Sequence, residues 1–107
     1  MPLSEDMKKD LETLVEQYPI VLFMKGSAQS PRCGFSARVV AILNDLGASY
    51  TAVDILQSDE LREGLKEFSE WPTFPQLYVA GEFLGGADII GEMHEAGELA
   101  EALAKAA

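Results

Sequence analysis

The chain has one cysteine in 107 residues. A single thiol cannot close an internal disulfide, and it cannot fill a metal site unaided. A disulfide framework is therefore excluded, and a reducing compartment is expected. Positive charge is scarce as well. Eight lysines and arginines stand against eighteen aspartates and glutamates, for a net charge of −10. Sequence-independent nucleic-acid binding needs a basic footprint, so no nucleic-acid partner is expected. Attraction to an acidic membrane surface is excluded on the same ground. No apolar run approaches the roughly 20 residues of a membrane span. The opening MPLSEDMKKDLETL has no apolar stretch and is too acidic for a transit peptide, so a cytoplasmic location is expected. No repeat, linker or low-complexity segment divides the chain, which reads as one domain over residues 1–107. A phosphate-binding loop is also missing, because GSAQSPRCG lacks the Lys-Ser/Thr ending.

Apolar residues, by contrast, make up 48% of the chain, enough for a real core. Met7, Leu11, Leu14 and Val15 recur at helical spacing, which predicts a helix from Ser4 to Gln17. IVLFM at Ile20–Met24 is apolar throughout, as a central strand buried on both faces would be. Phe35, Val39, Ile42, Leu43 and Leu46 place one face of a helix between Cys33 and Leu46, with Gly47 as its C-terminal cap. Tyr50–Ile55 reads as a second strand. Ser58 offers an N-cap to a third helix carrying Leu61, Leu65 and Phe68, which Gly64 weakens modestly. WPTFP cannot be helical. Gln76–Val79 and Glu82–Leu84 form a hairpin about Ala80-Gly81. Asp88 is then expected to cap a short helix to about Ala96, and Glu98–Ala104 adds a last helical piece. The order implies an α/β fold, with one mixed four-stranded sheet and helices on both faces.

In such sheets, ligands sit beyond the carboxyl ends of the strands. Lys25 stands just past the first strand, and Cys33 opens the next helix beside Arg32. A thiol so placed favours its anion. The TFP segment and the Gly85-Gly86-Ala87-Asp88 turn can reach the same end. Lys25 and Arg62 suit carboxylates. Asp88 suits an ammonium, and backbone N–H groups at its helix start suit a further carboxylate. A molecule with a thiol, two carboxylates and one ammonium would use all of these, and glutathione fits that description. By default, Lys25 and Arg62 would be solvated charges and Asp88 only a cap. Their convergence is what raises them. His94, far along the chain from Cys33, reads as a surface or packing residue.

MKGSAQSPRCGFS, WPTFPQLYVAGEFLGG and the following DI resemble the monothiol glutaredoxins of the CGFS type. The resemblance spans the chain from its first helix to Glu98. It implies a thioredoxin-like fold, with Cys33 as active thiol and cluster ligand. It places glutathione contacts at Lys25, Arg62, Phe74, Ala87 and Asp88, and it suggests a cis bond before Pro75. Many members carry a second cysteine where this chain has Ala87, so a disulfide partnership of that position with Cys33 is ruled out. Ser36 in place of a cysteine removes the C-x-x-C couple too.

A 2Fe–2S centre usually takes four thiolates. Two copies of this chain supply two, and two glutathiones supply the rest. The resemblance thus implies a homodimer about a shared 2Fe–2S cluster, with BolA-like proteins and apo iron–sulfur proteins as partners and a place in iron homeostasis. An exposed cluster held partly by a dissociable ligand should be transferable. Two other readings stand beside this carrier role. One is a glutathione-dependent thiol-disulfide oxidoreductase, at most a weak enzyme, in which Phe74 crowds attack on a mixed disulfide. The other is a redox-inert docking module.

Overall fold

The computed structural model describes residues 2–106, so the first and last positions of the expected 1–107 unit lie outside it. At its centre runs β1 (Ile20–Met24), buried at all five positions. Strand side chains alternate between faces. Ile20, Leu22 and Met24 meet Val39, Val40 and Leu43 of α2 (Gly34–Asp45), Ile90 of α4 (Ala87–Glu95), and Leu99 and Leu103 of α5 (Glu98–Ala106). Val21 and Phe23 point the other way. They meet Leu11 and Val15 of α1 (Glu5–Gln17) and Leu65 of α3 (Asp59–Ser69). Two cores, one on each face, are why no position of IVLFM can be polar. Each buried Val, Leu or Phe side chain contributes about 1.5–3 kcal/mol.

The sheet order is β2-β1-β3-β4, with β2 spanning Thr51–Asp54, β3 Gln76–Val79 and β4 Glu82–Gly85. β2 runs parallel to β1, while β3 is antiparallel to both β1 and β4. This is the mixed sheet with helices on both faces that the sequence predicts. It brings the carboxyl ends of β1, β2 and β4 and the amino end of β3 to one edge.

Several local expectations change. Ser4 is the N-cap of α1 rather than its first residue, its Oγ accepting the Met7 N–H at 3.1 Å. The second strand stops at Asp54 because Asp54 Oδ1 accepts the Leu56 N–H at 2.9 Å, turning Ile55–Gln57 into a 3₁₀ turn. Asp88 does not cap α4. The cap is Gly86, whose carbonyl accepts the Ile90 N–H at 3.0 Å, and Asp88 falls in the first turn. Phe35 leaves the core stripe and is 60% exposed, because it lines the cavity mouth while its neighbour Ser36 takes the buried place in the first turn of α2. Gly64 is buried against Met7, whose sulfur occupies the space a Cβ would need. Its cost in helix propensity is therefore matched by the close approach of α1 to α3.

Candidate functional site

The loop after β1 places the thiol. Gly26 takes a φ of +91°, open to glycine, and a Cβ there would lie 2.6 Å from the Ser30 carbonyl oxygen. Ser27 and Ser30 exchange backbone hydrogen bonds at 3.1 and 3.2 Å, so the chain doubles back. The Arg32 N–H then donates to the Lys25 carbonyl at 2.9 Å, which sets Cys33 beside the end of β1. Asp54 fixes this corner to β2, accepting the Gly26 N–H at 2.9 Å. Its carboxyl is held below the ordinary range, first by the Leu56 N–H and then by the Gln57 side chain, the Gly26 N–H and the Arg32 charge.

Cys33 is the N-cap of α2, half-buried and free. Its side chain closes no capping hydrogen bond among the described residues. The surroundings nonetheless favour the anion. The Ser36 N–H acts most strongly, with the Phe35 N–H, the Lys25 charge and the Ser36 hydroxyl adding to it, and together they outweigh partial desolvation and lower the thiol pKa. Ser36 is itself fully buried, and its Oγ accepts the Lys25 N–H at 3.1 Å.

A cavity of about 520 Å³ opens beside the sulfur. Lys25, Cys33, Arg62, Phe74, Ala87 and Asp88 all line it, so the structure brings together every site residue named from the sequence. Arg62 lies 3.4 Å from both Asp59 and Glu63, and Lys66 is 3.0 Å from Glu63. Lys66 also lines the cavity and escapes the sequence reading. Its signal is the four-residue spacing from Arg62, which puts both cations on one face of α3. Three cations therefore line the cavity against one carboxylate, on a body whose net charge is −10.

The opposite wall is the 71–75 segment, which carries a cis Phe74-Pro75 bond. Buried Gln76 underpins it, its Nε2 donating to the carbonyls of Trp71 at 3.1 Å and Thr73 at 3.2 Å. By its place in the sequence Gln76 is only the first residue of a strand. Across the cavity mouth, a Cβ on Gly86 would sit 3.2 Å from Trp71 Nε1, so glycine lets the ring close on the α4 turn. Among the described residues, no group of three or more His, Cys, Asp or Glu side chains is arranged to hold a metal ion.

The glutaredoxin family model matches residues 20–84, the stretch from β1 to β4. Monothiol glutaredoxin-5, mitochondrial, of Saccharomyces cerevisiae is 50% identical over 109 residues, covering 99% of this chain and 73% of that protein. The chain belongs to the monothiol glutaredoxins. Among solved structures, reduced apo GrxS14 of poplar is 51% identical with a TM-score of 0.85, over 99% of this chain and 97% of that one. A glutaredoxin–glutathione complex from buckwheat is 26% identical with a TM-score of 0.81, over 96% of each chain. The thioredoxin-like fold follows.

The chain spans only 20% to 29% of the length of three other relatives that it matches at 51% to 55% identity. Relatives include forms named mitochondrial and chloroplastic, so membership of the family does not fix the compartment. No helix among the described residues is long and apolar enough to cross a membrane. In this monothiol glutaredoxin Phe74 lines the cavity that holds the thiol. It is 6% exposed and packs in the core with Phe23 and Tyr78. The exposed apolar groups at the mouth are Phe35, Trp71 and Ile89.

Proposed function

We propose that the chain binds glutathione in the Cys33 cavity and, as a glutathione-bound dimer, carries a 2Fe–2S cluster for delivery to apo iron–sulfur proteins. The observation that carries this reading is a lone, anion-favouring thiol at the edge of a cavity lined by Lys25, Arg62, Lys66 and Asp88. Carboxylates of the tripeptide suit the cations, with Arg62 offering a fork and Lys25 a point charge. Its ammonium suits Asp88, and the first-turn N–H groups at Ala87 and Asp88 suit a further carboxylate. The buckwheat complex supports the ligand. Four thiolates are the usual demand of the cluster, so each copy contributes Cys33 and one glutathione sulfur. The cluster is cargo in this account. Residues of the chain bind the tripeptide, hold the thiolate and leave the mouth open to a recipient. BolA-like proteins are proposed as partners at that mouth.

A second reading draws on the same thiolate. Cys33 attacks the glutathione sulfur of a mixed disulfide, forming a Cys33–glutathione disulfide and releasing the substrate thiolate. A second glutathione thiolate then attacks the bound glutathione sulfur. Oxidised glutathione leaves, and Cys33 is regenerated as the thiolate. No second cysteine competes, because Ser36 and Ala87 occupy the positions that would hold one.

Anaerobic reconstitution with iron, sulfide and glutathione tests the carrier role. Thiolate-to-iron absorption should appear together with a shift from monomer to dimer. Both should vanish in Cys33→Ser and when glutathione is omitted. A protein that stays colourless and monomeric overturns the carrier role. Turnover of a glutathionylated peptide by such a protein would establish the second reading instead.

A further inference from the structure

Gln76 is fully buried, and it is only half satisfied. Both N–H groups of its amide are used, on the carbonyls of Trp71 and Thr73, while Oε1 has no hydrogen-bond partner among the described residues. Both partners are acceptors, so the amide nitrogen must be the end that faces them. An unpaired buried amide oxygen is costly, and an apolar side chain would fill the position with less loss. Such a residue has a task that packing does not explain.

The task lies in the segment it holds. The Thr73–Phe74 peptide is trans, since the only cis bond among the described residues is Phe74-Pro75. In a planar trans peptide the C=O and the following N–H point in opposite directions. Gln76 grips the Thr73 carbonyl from the protein interior. The Phe74 N–H is thereby turned away from the interior, on the side of the cavity that Thr73 and Phe74 line together with Cys33. It has no hydrogen-bond partner among the described residues. The second grip, on Trp71, ties down the other end of the same wall.

We propose that Gln76 is a positioning residue for the bound tripeptide: by fixing the Thr73–Phe74 peptide plane it presents the Phe74 N–H to a backbone carbonyl of glutathione. This rests on the glutathione reading above and adds a residue that does not itself touch the ligand. The Cys33 thiolate lies outside its reach, because the N–H groups of α2 and the Lys25 charge hold it independently.

Trp71 is the only tryptophan, so its fluorescence reports the wall directly. Glutathione is titrated anaerobically against wild type, Gln76→Met and Gln76→Glu. Methionine keeps the volume and removes both donors. The glutamate variant keeps the shape, loses at least one donor, and carries the test if the methionine variant does not fold. Val79→Ala is the control, since it opens the core of the same strand on the other face without touching the wall. Circular dichroism sets the temperature at which every variant is folded. Affinity should fall about tenfold in both Gln76 variants, the weight of one hydrogen bond. It should stay within about twofold in Val79→Ala, and the pH profile of Cys33 alkylation should not move in any of them. Wild-type affinity in a folded Gln76 variant overturns the proposal, as does an equal loss in Val79→Ala. Failure of the wild type to bind glutathione would sink the ligand reading itself, which is a separate result.

Discussion

Ser36 joins the two halves of the thiol site. Its buried hydroxyl accepts the Lys25 N–H at 3.1 Å, which leaves the hydroxyl proton free to point at Cys33, while its own N–H is the strongest influence on the thiolate. Replacing the hydroxyl removes one stabilising donor from the anion and strands the Lys25 N–H. In Ser36→Ala, the midpoint of iodoacetamide alkylation should therefore move to higher pH. In the wild type that midpoint should lie below the free-thiol value of about 8.5. The direction follows from the charge: a donor aimed at sulfur favours the thiolate, so removing it returns the group toward its ordinary value. The shift should be partial, since the Ser36 and Phe35 N–H groups survive the change. Stability should fall by about 1–3 kcal/mol, the cost of an unpaired buried N–H, as read from urea denaturation. Superimposable alkylation profiles would show that the hydroxyl does not reach the sulfur.

Among the elements, the β3–β4 hairpin carries a visible misfit. Ala80 and Gly81 take φ values of +53° and +81°, the two positive angles of a type I′ turn. Glycine tolerates this and alanine does not, whereas asparagine adopts the left-handed region more readily. Ala80→Asn should stabilise the chain by about 0.5–1 kcal/mol, seen as a higher urea midpoint with an unchanged slope. A midpoint at or below that of the wild type would mean that the hairpin is not limited by its turn. The position of this hairpin is legible in the sequence because two β-rich runs flank a two-residue break. β1 is equally legible, since only a strand buried on both faces is apolar at every position. The first turns of helices are harder to read. Periodicity assigns Phe35 to the core of α2, but nothing in a pattern of spacings says that a cavity opens beside the first turn, and Phe35 faces it. Asp88 has the chemistry of a cap, yet the extended residue before the helix is Gly86, where a Cβ would lie 3.2 Å from Trp71 Nε1. The residues that carry charge or sulfur in the site are readable from their types. Gln76 is not, since its part depends on which carbonyls the fold brings to its amide.

The charge of the whole molecule acts on its stability rather than on its fold. Of the eighteen carboxylates, only Asp45, Asp59 and Glu63 sit in an ion pair among the described residues. The Asp45 pair, with His94 at 3.8 Å, is charged only when the imidazole is protonated. The others are exposed pairs within α3, each worth at most about 1 kcal/mol. The remaining acids crowd α1, α3, α4 and α5 over a body with a radius of gyration of 13.0 Å. At 10 mM salt the screening length is about 30 Å, so every acidic residue feels every other. At 150 mM it falls to about 8 Å, which confines repulsion to near neighbours. Repulsion opposes the compact state more than the expanded one, so screening should stabilise the fold. Raising sodium chloride from 10 to about 150 mM at pH 7 should add about 1 kcal/mol, or roughly 4–8 °C in Tm for a chain of this size. Chloride is the right choice, because sulfate would also strengthen apolar burial and confuse the two effects. A Tm that falls as chloride is added would show that the α3 ion pairs and the acidic first turns of α1 and α3 outweigh the repulsion, since salt weakens those attractions as well.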